Sequence, residues 1–108
     1  MKDTDKYHQI IENANEYQIV GFNFQDDLSD IENSYIELTL QRQNEITKLK
    51  FAQPSEISIE LGFPNQTGGL CVLDISDRQW ENKLIEVTDF ESSQGAIHFL
   101  AKSVERIS

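Results

Sequence analysis

Apolar and polar residues alternate singly along most of this chain, and the places where alternation lapses mark its turns. Only the N-terminal stretch follows another period. In TDKYHQIIENANE, residues 4–16, Tyr7, Ile10, Ile11 and Ala14 recur at helical spacing, which predicts a short helix. Thr4 or Asp5 would cap it, and Asn13 and Asn15, poor helix formers, keep it short. From Tyr17 the period becomes that of a strand. YQIVGFNF places Ile19 and Gly21 on one side and Val20, Phe22 and Phe24 on the other. Its internal Gly21 predicts a bulge or a close backbone approach.

SYIELTLQ turns Ile36, Leu38 and Leu40 one way and Tyr35, Glu37 and Thr39 the other, the pattern of a half-buried antiparallel strand. Arg42-Gln43-Asn44-Glu45 supplies a tight polar turn, and EITKLKF returns with Leu49 and Phe51 inward, completing a hairpin. Lys48 and Lys50 on its outer face would discourage edge-to-edge pairing. Beyond Pro54, SEISIEL sets Ile57, Ile59 and Leu61 against Glu56, Ser58 and Glu60. LCVLDIS is almost continuously apolar and predicts a central strand. KLIEVTDF and GAIHFLAKSVERI close the series, separated by residues 91–95.

The expectation is a mainly β protein, α+β at the margin, with about seven strands after one short N-terminal helix. Helical crossovers between the strands are missing, so the sheet should be an antiparallel meander. It would close into a small barrel or fold over as a sandwich, with the helix plugging one open end. All 108 residues fit one domain, long enough to bury about two thirds of its unfolded surface without metal or disulfide.

Charge changes the picture more than composition does. Nineteen acidic residues face nine basic ones, a net charge of −10. Residues 1–37 alone hold nine acids and two bases, a net of −7. Such a field disfavours nucleic acid and anionic membrane, both of which recruit lysine and arginine. It favours a basic protein partner and speeds the encounter, although acidity also serves solubility alone. The single cysteine, Cys71, fits a reducing compartment, and the opening MKDTDKYHQ has no apolar signal segment, so a cytoplasmic location is expected.

Catalytic chemistry finds little footing. A nucleophile needs a base within hydrogen-bond reach. His98 alternates with Ile97 and Phe99 and should point away from the core, whereas Cys71 sits in an apolar run typical of an inert thiol. Two histidines and one cysteine without close spacing do not make a zinc cage, so no metal or cofactor is expected. The loop QDDLSDIEN concentrates Asp26, Asp27, Asp30 and Glu32. It lacks the glycine and the ligand spacing of a calcium loop, and its default state is a solvated acidic surface. These four carboxylates are the candidate partner-binding residues. GFPNQTGGL, 62–70, resembles a phosphate cradle but leads into a strand and has no lysine nearby, so it is read as a hairpin turn. Tyr35, Phe63 and Trp80 would form an anchor patch if exposed together, core packing of Trp80 being the simpler expectation.

From Leu49 onward, LKFAQPSEISIELGFPNQ and IEVTDFESSQGAIHFLAKSVERI resemble small β-rich bacterial immunity proteins, in particular the family called immunity protein 50. Proteins of that kind neutralise toxin domains delivered by neighbouring cells. The resemblance implies a binding role without catalysis, directed at a protein, and carries over no individual functional residue. A small-ligand-binding β-barrel, its strands enclosing an apolar pocket, is the alternative expectation.

Overall fold

The computed structural model describes residues 7–59, 70–78, 83–89 and 97–107. Eight strands form two four-stranded antiparallel sheets packed as a sandwich rather than a closed barrel. The strands are β1 (Gln18–Gln25), β2 (Tyr35–Arg42), β3 (Glu45–Ala52), β4 (Ser55–Ile59), β5 (Leu70–Asp74), β6 (Ile85–Asp89), β7 (Ile97–Ala101) and β8 (Ser103–Arg106). One sheet has the order β1-β2-β3-β8 and the other β4-β7-β6-β5. The second order is that of a Greek key, three sequential strands with a fourth beside the last of them.

The predicted hairpin forms in the expected register, Leu38 opposite Leu49 and Arg42 opposite Glu45. Gln43 turns the chain at φ 55°, the positive region that two-residue hairpin loops require. Ile36, Leu38, Leu40, Leu49 and Phe51 all lie fully buried between the sheets. They meet Val72, Val87, Ile97 and Phe99 of the second sheet in one core. Phe51 and Phe99 join the layers by an edge-to-face contact, with ring centroids 5.1 Å apart.

In β1 the glycine does what its position predicted. The register shifts between Ile19 and Gly21, so one extra residue, Val20, is pushed out and stands 55% exposed. The inward set therefore switches from Ile19 to Phe22, and Gly21 lies hard against Thr39 of β2. A bulge, by inserting one residue, reverses the facing of everything after it.

Several expectations are corrected. No α-helix spans residues 7–16: Ala14–Glu16 forms one 3-10 turn, and Asn13 ahead of it adopts φ 54°. Tyr7 bridges Leu73 and the His8 amide donates to the Val72 carbonyl at 2.8 Å, so this segment extends along β5. Its apolar residues are nevertheless used, since Ile11 and Ala14 join the core. Strand pairing and burial outweigh a helical period weakened by asparagines. Residues 95–107, expected as one strand, are two, β7 and β8, placed in different sheets. The bend is at Lys102, whose amide donates to Ala52 across the corner where Gln53, at φ 50°, and Pro54 carry the neighbouring strand over. LCVLDIS is buried on both faces, as its composition predicted, yet β5 is an edge strand and not a central one. Continuous apolarity reports two covered faces and says nothing about pairing on either side. Lys48 and Lys50 lie on β3, which is flanked by β2 and β8, so they guard no edge. Instead Lys50 sits 4.4 Å from the centre of the Tyr35 ring. Ile57 and Ile59 of β4 are 37% and 44% exposed rather than core. The loop 62–69, with Phe63, and Trp80 lie outside the described residues.

Candidate protein-docking site

The acidic loop joins β1 to β2 at one end of the sandwich, and its shape follows from short side chains bonding their own backbone. One carboxylate oxygen of Asp27 accepts from the Ser29 amide at 3.0 Å, the Ser29 hydroxyl at 2.8 Å and the Asp30 amide at 3.1 Å. Asp30 repeats the arrangement, accepting from the Glu32 amide at 3.1 Å and the Asn33 side-chain amide at 3.3 Å. Ile31–Asn33 thereby closes a 3-10 turn. Buried Ser34 anchors the loop to the fold. Its hydroxyl donates to Asp26 and accepts from the Asp27 amide, both at 2.9 Å, while its carbonyl accepts from the Gln53 amide.

The four predicted carboxylates therefore share one loop held by its own hydrogen bonds. The Asp26 carboxylate and the Asp27 backbone amide converge on Ser34, the Asp27 carboxylate accepts from the Asp30 amide, and Glu32 stands exposed beside them. Hydrogen bonds from Ser29, side chain first and backbone second, hold the Asp27 carboxyl below its ordinary value. Among the described residues no lysine or arginine pairs with these four groups. Among the described residues the loop's negative charge thus has no ion-pair partner.

Sequence reasoning passed over Leu28. It stands between Asp27 and Ser29 at the crest of the loop, 93% exposed, the most exposed large apolar side chain among the described residues. The signal was present as one apolar letter within DDLSD. A shallow open depression of about 600 Å³ runs beside it, lined by Gln25, Asp26, Asp27, Asn33 and Tyr35. Tyr35, named as an interface aromatic, is half-buried there.

The other groups weighed for chemistry do not assemble. Cys71 and His98 share the outer face of the second sheet, but β6 lies between their strands, a separation of about 10 Å at ordinary strand spacing. Cys71 is buried with Leu73, Ile75 and Leu100, and His98 pairs instead with Glu86 at 2.8 Å. Among the described residues no three His, Cys, Asp or Glu side chains form a group that could hold a metal ion. At the opposite end of β2, Arg42 binds Glu16 at 2.8 Å and Glu45 at 3.0 Å and lies over the Tyr17 ring. That cluster fastens the N-terminal segment to the hairpin.

Fold and surface together define an acidic β-sandwich with an exposed, internally hydrogen-bonded acidic loop at one end. Comparison with protein-family models, with curated proteins and with solved structures finds no match for this chain. No helix among the described residues is long and apolar enough to cross a membrane.

Proposed function

We propose that this chain is a non-catalytic binding protein that masks a basic surface of a protein partner, in the manner of an immunity protein neutralising a toxin domain. The observation that carries the reading is the β1–β2 loop, where Asp26, Asp27, Asp30 and Glu32 surround an exposed Leu28 on a hydrogen-bonded frame. A loop already held by its own hydrogen bonds has less conformational entropy to lose on binding, and an apolar residue among polar ones matches the apolar core and polar rim of interfaces. The long-range charge steers a basic partner toward it.

If the gene immediately upstream encodes a large secreted protein with a variable C-terminal domain, that domain is the test ligand, with binding followed by surface plasmon resonance at several salt concentrations. Asp26→Asn, Asp27→Asn, Asp30→Asn and Glu32→Gln together should slow association and flatten its salt dependence. Unchanged kinetics would refute the electrostatic role of the loop. The alternative, a small-ligand-binding barrel, has less support, because the space between the sheets is filled by side chains such as Phe51 and Phe99.

A further inference from the structure

Residues 7–16 lie on the sandwich outside the strands of either sheet. They hold one 3-10 turn, entered through Asn13 at φ 54°, a left-handed conformation that costs free energy in a residue with a β-carbon. Ile11 and Ala14 are their buried apolar anchors, with Ile10 partly buried beside them. The other buried members of that core, Tyr17 aside, lie on strands. Polar ties reach the segment from several strands. The His8 amide donates to the Val72 carbonyl of β5 at 2.8 Å. Arg106 of β8 donates to the Ile10 carbonyl at 2.8 Å. Arg42 of β2 donates to Glu16 at 2.8 Å and to Glu45 of β3 at 3.0 Å. Its guanidinium also lies 4.6 Å from the centre of the Tyr17 ring, whose hydroxyl donates to the same Glu45 at 3.1 Å. Arg42 thus joins the segment to the hairpin, and it holds near each other two carboxylates that repel without it.

We infer that residues 7–16 form a strap that opens as one unit while both sheets stay folded, and that Arg42 is the latch that keeps it closed. Local opening falls below the free energy of global unfolding where a segment buries few apolar side chains and its ties face solvent. Both conditions hold here. Ile11 and Ala14 carry the burial, and the side chains of Arg42, Glu16 and Glu45 are 30%, 53% and 55% exposed. An isolated pair at that exposure contributes little, whereas charges sharing one guanidinium act as a network. Opening withdraws Ile11 and Ala14 from the core and parts the Val72 carbonyl from His8. The open form therefore presents apolar surface and a backbone acceptor that the closed form covers. The inference is independent of the proposed function, and the failure of either leaves the other standing.

The test is native-state hydrogen exchange, followed by NMR at low urea concentrations. The probes are the His8, Glu16 and Tyr17 amides, bonded to Val72, Asn13 and Ala14. The Lys102 amide, bonded to Ala52 at the corner of the sandwich, reports on the sheets. A strap predicts one common opening for the three probes, with a urea dependence smaller than that of Lys102. Arg42→Gln should speed exchange at the probes roughly three- to thirtyfold, the sum of two exposed ion pairs and the repulsion they conceal. Adding Glu16→Gln to that variant removes the repulsion and should slow the probes again. Glu16→Gln alone, on an exposed side chain, is the second variant should Arg42→Gln fail to fold, and it should speed the probes less. Ile97→Val trims the core on β7, which β6 separates from β5. It should speed Lys102 roughly two- to tenfold and leave the probes unchanged, because both closed and open forms lose the same contact. Probes that share the urea dependence of Lys102 and respond to Ile97→Val as it does would overturn the strap. So would three unequal openings, or probes unprotected in the parent. Exchange indifferent to Arg42→Gln and Glu16→Gln would overturn the latch.

Discussion

Gly21→Ala offers the sharpest test of the β1–β2 packing. A β-carbon built at Gly21 falls 2.9 Å from the Thr39 hydroxyl oxygen and 3.0 Å from the Thr39 β-carbon. Ordinary contacts of that kind sit at roughly 3.5–4.0 Å, so something must move by about half an ångström. Thr39 has little room to give. It is β-branched and stiff, and its neighbours Leu38 and Leu40 are fully buried in the core. Overpacking of this kind costs about 1–3 kcal/mol. Alanine recovers about 0.5–1 kcal/mol of backbone entropy relative to glycine in a strand. The net loss is therefore about 0.5–2 kcal/mol, which at roughly 4–8 °C per kcal/mol lowers Tm by about 2–16 °C. The assay is calorimetric melting in two backgrounds. In the Thr39→Gly background the obstructing atoms are gone, and the same alanine should be neutral or stabilising. A Gly21→Ala protein as stable as the parent, or an equal loss in both backgrounds, would refute the argument.

Phe99→Ala removes a fully buried ring and its edge contact with Phe51, and urea denaturation should register a loss of about 3–5 kcal/mol. Hydrogen bonds from Arg42 and then Tyr17 hold the Glu45 carboxyl below its ordinary value of 4.5. A group depressed in the folded state gives stability that is complete above its unfolded pKa and lost as pH falls through the folded one. Carbon-detected NMR titration should therefore place the midpoint of Glu45 below 4.5, and Glu45→Gln should flatten the decline of Tm on the acid side of that value. Leu28→Ser should leave Tm nearly unchanged, since the side chain is 93% exposed. The same substitution should weaken partner binding by roughly ten- to a hundredfold, the equivalent of a buried leucine.

Much of the candidate site was legible because its signal is local. Four acids in seven residues mark the loop whatever the fold, and serine and asparagine beside them favour turns closed on their own backbone. Leu28 was legible too, as an apolar letter in a polar loop, but only its exposure gives it meaning. The β1 edge was not legible, because QIVGFNFQ reads the same in the middle of a sheet as at its margin. Nor was the Arg42 cluster, which joins Glu16 to Glu45 across 29 positions of sequence by folding the N-terminal segment onto the hairpin.

By itself the sequence determined which residues alternate, and hence where most strands lie and which faces of β2 and β3 turn inward. Ile36, Leu38 and Leu40 against Leu49 and Phe51 needed only the two-residue period of a pleated chain and a polar turn. Tertiary structure alone decided which strands are neighbours, where β7 bends into β8, and that the sheets stack as a sandwich. It also took Ile11 and Ala14 into the core without a helix. Alternation is a property of one strand and its two faces, whereas pairing, edges and corners depend on partners far away in the chain.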